Sequence, residues 1–286
     1  MSANPFIYFG GDSYMAGSEL ADDTLQCWKD IFGRYAGPDA RYHTEFQEAK
    51  KKEMHDWSDS QHAQYMCCQQ DRHWTTIVCD KHGIKHHNDG VGGSSQEAVL
   101  HRAVISFDKF EQAGNVPTLA IIHLTNPGRA VIYKDGITAN IIEPRRAFDF
   151  SYVFQYAIKD HNDAVKQYTL AHMGVESETG NIIRWLTTLA ITNSFFKEKT
   201  GRYPIYLEST NMAVRRYIQR AENTASPEYQ SLIHQARLYA IDNNVWNLGR
   251  EPHLSCPGGH HSPQTHANFA QFIAPHLLQE LNHKEI

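Results

Sequence analysis

Pro5-Phe6-Ile7-Tyr8-Phe9-Gly10-Gly11-Asp12-Ser13 is the stretch that decides the fold. Its apolar residues follow one another without polar alternation, the pattern of a strand buried on both faces of a sheet. Two glycines stop the run and mark a tight turn. A serine comes next, where a helix would begin.

Working outward, Thr118–Leu124 is the clearest further strand, short, apolar and bounded by Pro117 and Pro127. Thr75–Cys79, Tyr203–Leu207 and Leu238–Asp242 complete a predicted set of five. Helical spacing lies between them. Trp28, Ile31, Phe32 and Tyr35 follow Asp22-Asp23, and Gly37-Pro38 ends that run. Leu100, Ala103, Val104 and Phe107 share a face behind Ser94 and Glu97, which have the spacing of a capping box. Ile182, Trp185, Leu186 and Leu189 give a third helix. Phe269, Phe272, Ile273 and Leu277 give a last one after Ser262-Pro263, serine at the N-cap and proline at the first helical position. Strands alternating with helices predict the α/β class: a three-layer αβα architecture around a central parallel five-stranded sheet. The chain reads as one domain, 1–286, with helical insertions at about 38–74 and 134–200.

The composition narrows the function. The net charge is -5 over 286 residues, with no basic excess and no block of like charge, which argues against nucleic acid as a partner. No apolar run approaches the roughly 20 residues of a membrane span. Five cysteines, an odd number, without a leader-like start predict reduced thiols, hence a cytoplasmic location, or a virion if the chain is phage-encoded. Cys67, Cys68, His73, Cys79 and His82 are of zinc-ligand type, but their spacing departs from common zinc modules. No metal and no cofactor is predicted.

Ligands of open parallel sheets bind outside the carboxyl ends of the strands. Gly10-Gly11-Asp12-Ser13, Gly92-Gly93-Ser94-Ser95 and Thr125-Asn126-Pro127-Gly128-Arg129 all fall there, and Gly258-Gly259-His260-His261 precedes the last helix. Together they supply what acyl transfer needs. A hydroxyl can be activated by a neighbouring imidazole, and glycine N–H groups and an asparagine amide can meet a developing oxyanion.

These blocks resemble the GDSL/SGNH hydrolase family, whose fold is the flavodoxin-like αβα sandwich. The resemblance makes Ser13 of Gly11-Asp12-Ser13 the nucleophile. It makes Ser13, Gly93 and Asn126 the oxyanion hole, through backbone N–H groups and the asparagine side chain. The third block departs from the family's Gly-x-Asn-Asp; its Thr125-Asn126-Pro127-Gly128-Arg129 resembles a Thr-x-Pro-x-Arg form associated with phage-encoded members. Arg129 is a candidate contact for an anionic substrate. His260 and His266 reproduce the spacing of the family's two terminal histidines, which makes His260 the base. The aspartate expected three residues before His260 is replaced by Pro257. A backbone carbonyl, Glu251 or Asp242 is left to orient the ring. The expected activity is hydrolysis of a small-molecule or carbohydrate ester. The alternative is a weakened or inactive binding or structural protein of the same fold, assembled into a viral particle.

Overall fold

The computed structural model describes residues 5–33, 40–92, 94–125, 127, 129–134, 137–142, 178–208, 218–219, 221–223, 227–238, 241, 246–247 and 260–282. Its centre is a parallel sheet built from β1 (Phe6–Gly10), β2 (Lys85–Asn88), β3 (Leu119–His123), β6 (Ile205–Glu208) and a two-residue β7 (Trp246–Asn247). The spatial order is β2-β1-β3-β6-β7. Numbered within the sheet this is 2-1-3-4-5, the flavodoxin-like order, whose switch point lies between β1 and β3. β4 (Arg129–Lys134) and β5 (Ile137–Ile142) form a separate antiparallel hairpin.

Strand residues alternate between two apolar layers, as the period of a strand requires. Tyr8, Ala120, Ile122 and Tyr206 pack with α6 (Gln96–Gln112) and α7 (Glu178–Thr200), and Ile233 of α8 (Pro227–Ala236) joins that layer. Ile7, Phe9, Leu119, Ile121 and Leu207 pack on the opposite face with α5 (Trp74–His82) and α9 (Pro263–Asn282). This is the three-layer α/β architecture. A satellite cluster joins Leu25, Ile31 and Phe32 of the α2 region (Gln26–Phe32) to Phe46 of α3 (His43–His55) and Tyr65 of α4 (Asp59–Asp71). None of the helices among the described residues is long and apolar enough to cross a membrane.

Four expectations are corrected. Thr75–Cys79 is the middle of helix α5. His73 Nδ1 accepts the Thr75 N–H at its start, Gly83 closes it in the left-handed conformation, and Trp74, Thr75, Val78 and Cys79 form its buried stripe. β-branched content misled, because tertiary burial overrides propensity. The real second strand, Lys85–Asn88, is an edge strand whose residues are exposed or half-buried, so it carries no apolar signature. Leu238 and Ile241 are helical and belong to the core, and the edge position next to β6 is held by Trp246–Asn247. The cap of α6 is Ser95, which accepts the Ala98 N–H, while Ser94 donates to the Val91 carbonyl. Of the last helix's predicted face, Phe272 is exposed.

Two regions were expected to be mainly helical. Residues 43–71 form α3 and α4. In the segment expected at 134–200, the described part begins with the β4–β5 hairpin and ends with α7, where Ile182, Trp185, Leu186 and Leu189 are buried. Residues 143–177 lie outside the described residues.

Candidate active site

Ser13 opens α1 (Ser13–Ala16) directly behind β1, at the carboxyl edge of the sheet and at its switch point. The turn that carries it is fixed by its neighbours. Gly11 accepts from the Val91 N–H at 3.1 Å and from Arg102 Nη2 at 3.0 Å. The Asp12 carbonyl accepts the Ala16 N–H at 2.8 Å. Asn88 donates to the Met15 carbonyl at 2.8 Å. Two glycines allow this closeness: a Cβ on Gly11 would lie 2.6 Å from the His123 Cβ, and one on Gly90 would lie 2.4 Å from the Ala16 nitrogen.

Asp12, next to Ser13, is buried between an imidazole and a guanidinium. His123 Nδ1, at the end of β3, is 3.1 Å from Oδ1, and Arg129 Nη1, at the start of β4, is 2.8 Å from Oδ2. The same Nη1 reaches the Ser94 carbonyl at 3.2 Å. One carboxylate thus ties together the three segments that follow β1, β2 and β3. Gln96 extends the network, its Oε1 accepting the Thr125 N–H at 3.2 Å beside the third block.

His260 stands just before α9. Ser262 caps that helix, its Oγ accepting the Thr265 N–H at 3.3 Å. The His260 Nδ1 lies 3.3 Å from Glu19 Oε2. Glu19 follows α1, so the segment leading out of the Ser13 helix meets the imidazole from the far end of the chain. The other Glu19 oxygen, Oε1, lies 3.4 Å from His43 Nε2 on α3. Burial alone would raise the Glu19 carboxyl. The two imidazoles that face it, His260 first and then His43, outweigh burial, and the group is held below the ordinary carboxylate value. Glu19 adopts φ +72°, the left-handed region, which costs a non-glycine residue about 1–2 kcal/mol.

The Glu19 segment is clamped by the two polar helices. Buried Asp22 receives Lys50 Nζ of α3 at 2.5 Å and the Tyr65 hydroxyl of α4. Arg72 donates to the Leu20 carbonyl at 2.9 Å and pairs with Asp23. Glu53 accepts the Gln26 and Cys27 N–H groups at 3.0 and 2.8 Å.

His266, the second terminal histidine, is buried with Nδ1 accepting the Trp74 N–H at 3.3 Å, so it completes the start of α5. Burial, then His73, His261 and His260, lower its pKa well below the ordinary histidine value.

Of the residues named from sequence, Ser13, His260 and Arg129 lie in described elements or segments. The Ser13 side chain, Gly93 and Asn126 lie outside the described residues, as do Glu251, Asp242 and Pro257. Glu19, His123 and Gln96 were not identified from sequence. Nothing local distinguishes Glu19 from any other loop glutamate. His123 was hidden inside an apolar strand. Cys67 is exposed on α4 and Cys79 buried in α5. Among the described residues, no three histidine, cysteine or acidic side chains converge as metal ligands.

No protein-family model matches the chain, and no curated protein matches it. Solved structures do. One is an acetyl xylan esterase from the rumen bacterium Butyrivibrio proteoclasticus, 13% identical, with 97% of this chain and 64% of that one covered and a TM-score of 0.40. A psychrotrophic esterase from Pseudoalteromonas is 10% identical, with 98% and 100% covered and a TM-score of 0.43. A lipolytic protein of the G-D-S-L family from Desulfitobacterium hafniense is 11% identical, with 95% and 99% covered and a TM-score of 0.38. The chain thus spans just under two thirds of the first of these and almost the whole of the other two.

Proposed function

We propose that this chain is a serine-dependent ester hydrolase in which Ser13 is the nucleophile and His260 its base. One observation carries the reading: Glu19, on the segment leaving the Ser13 helix, lies 3.3 Å from the His260 ring at the carboxyl edge of the sheet. In this reading the Ser13 Oγ bonds to the ester carbonyl carbon while its proton passes to His260. The tetrahedral oxyanion is met by the Ser13 and Gly93 N–H groups and by the Asn126 amide. The imidazolium returns its proton to the departing alcohol. Water then attacks the acyl-serine and gives a proton to His260; the bond to the Ser13 oxygen breaks, the acid leaves, and His260 returns that proton to the Ser13 oxygen. Arg129 serves the turn, through Asp12 and the Ser94 carbonyl. The substrate is a small-molecule or carbohydrate ester.

The test is turnover of 4-nitrophenyl acetate by the wild type and by Ser13→Ala, with circular dichroism to confirm folding. The reading predicts wild-type hydrolysis that Ser13→Ala abolishes. Equal turnover rejects it. No turnover by either leaves the chain as a binding or structural member of its fold.

A further inference from the structure

We infer that Glu19 is the positioning acid of His260, supplied from the segment behind the nucleophile in place of the aspartate that Pro257 displaces. The inference rests on the hydrolase reading and adds to it the residue that the sequence leaves missing.

The choice of ring atom is the first reason. Glu19 faces Nδ1, and in the hydrolase reading the proton exchanged with Ser13 is taken by the other nitrogen, Nε2. An acid on Nδ1 fixes the proton there, presents a basic Nε2 and stabilises the imidazolium that forms. The second reason is the state of the carboxylate. It is largely shielded from water, yet faces two imidazoles, His260 on one oxygen and His43 on the other. A carboxylate in that setting is ionised and has little freedom to swing away. The third reason is the support around it. The Glu19 backbone is left-handed, and the residues after it are held by Lys50, Tyr65 and Arg72. Helices α3 and α4 contribute little to the two layers around the sheet; their polar side chains secure this segment, and His43 reaches the carboxylate itself.

Proton bookkeeping closes without any further reactant. The serine proton moves to Nε2, the Nδ1 proton stays on the ring throughout, and Glu19 remains ionised.

Glu19→Gln is isosteric and removes the charge. On 4-nitrophenyl acetate its kcat is expected to fall by about 10²–10⁴-fold with KM little changed. Glu19→Asp, which keeps the charge but withdraws it by one methylene, is expected to recover part of that loss. Nitrogen-15 NMR of the histidine rings reads the effect without turnover: neutral His260 carries its proton on Nδ1 in the wild type and loses that preference in Glu19→Gln. A kcat within threefold of wild type in Glu19→Gln overturns the inference, as does an unchanged tautomer. If Glu19→Gln does not fold, Glu19→Asp carries the test, and an undiminished kcat there overturns the inference. If the wild type hydrolyses nothing, the hydrolase reading fails by itself, and the tautomer still decides whether Glu19 orients His260.

Discussion

Glu19 and His260 lie near opposite ends of the sequence, and their side chains meet at 3.3 Å, Glu19 coming from the segment that follows the Ser13 helix. The contact depends on two local structures. One is the capped start of α9, which fixes His260 just ahead of it. The other is the left-handed backbone at Glu19, held by helices that otherwise stand outside the central core.

The clamp on that segment is testable through Asp22. Its carboxylate is fully buried, with Lys50 and Tyr65 as partners. Removing the cation strands a buried charge, which costs about 2–3 kcal/mol, less than for a fully buried pair because the lysine retains some exposure. Lys50→Met is expected to lower the urea midpoint accordingly and to reduce kcat more than it raises KM. Tyr65→Phe removes a hydrogen bond to the same carboxylate and is expected to cost about 1–3 kcal/mol. A Lys50→Met protein as stable as the wild type contradicts the clamp.

Gly90 tests how closely the β2 segment must press on the Ser13 helix. A methyl group there would meet the backbone of Met15 and Ala16, which cannot rotate aside as a side chain can. Gly90→Ala is expected to destabilise the fold by about 1–3 kcal/mol and to shift the Ser13 helix. Thermal melting and kcat are the measurements, and a change in neither contradicts the packing described.

Arg129 links Asp12 to the Ser94 carbonyl. Arg129→Met removes the guanidinium from the buried Asp12 carboxylate. It is expected to cost about 2–3 kcal/mol, discounted from a fully buried pair because the arginine retains some exposure. As a tether of the turn, Arg129 predicts equal changes in KM for neutral and anionic esters. A KM that rises for anionic esters only would assign the arginine to substrate instead.

His266 predicts a pH dependence of stability. It is buried, the rings of His73 and His261 lie beside it, and its Nδ1 accepts an N–H bond, so the folded protein binds a proton there less readily than the unfolded chain does. The stabilising contribution is complete above the unfolded value of about 6.5 and is lost as pH falls from there toward the depressed folded value. His266→Asn, which keeps an acceptor but does not titrate, is expected to flatten the fall in urea stability between about pH 6.5 and 5. An unchanged slope contradicts the assignment.

The central strands were legible because β1 and β3 are covered on both faces and so read as unbroken apolar runs. The last helix was legible because its serine cap and following proline are local signals. β2 was not, since an edge strand of Lys85, His86, His87 and Asn88 buries too little to leave a pattern. α5 was misread for the opposite reason: its buried Thr75, Val78 and Cys79 are residues a strand would also favour. At the site, the blocks around Ser13 and His260 could be found because each sits at the boundary of an element. Glu19 could not, because its importance comes from the tertiary contact with a histidine at the other end of the chain. The same holds for Asp12, whose burial between His123 and Arg129 is a property of three segments brought together.

The most direct measurement of the central claim is labelling by a fluorophosphonate probe, with the modified residue located by mass spectrometry. A serine activated by His260 is predicted to take up one equivalent of probe at Ser13, and His260→Ala is predicted to suppress that uptake. Absence of label on the folded wild type, or label that persists unchanged in His260→Ala, would contradict the account.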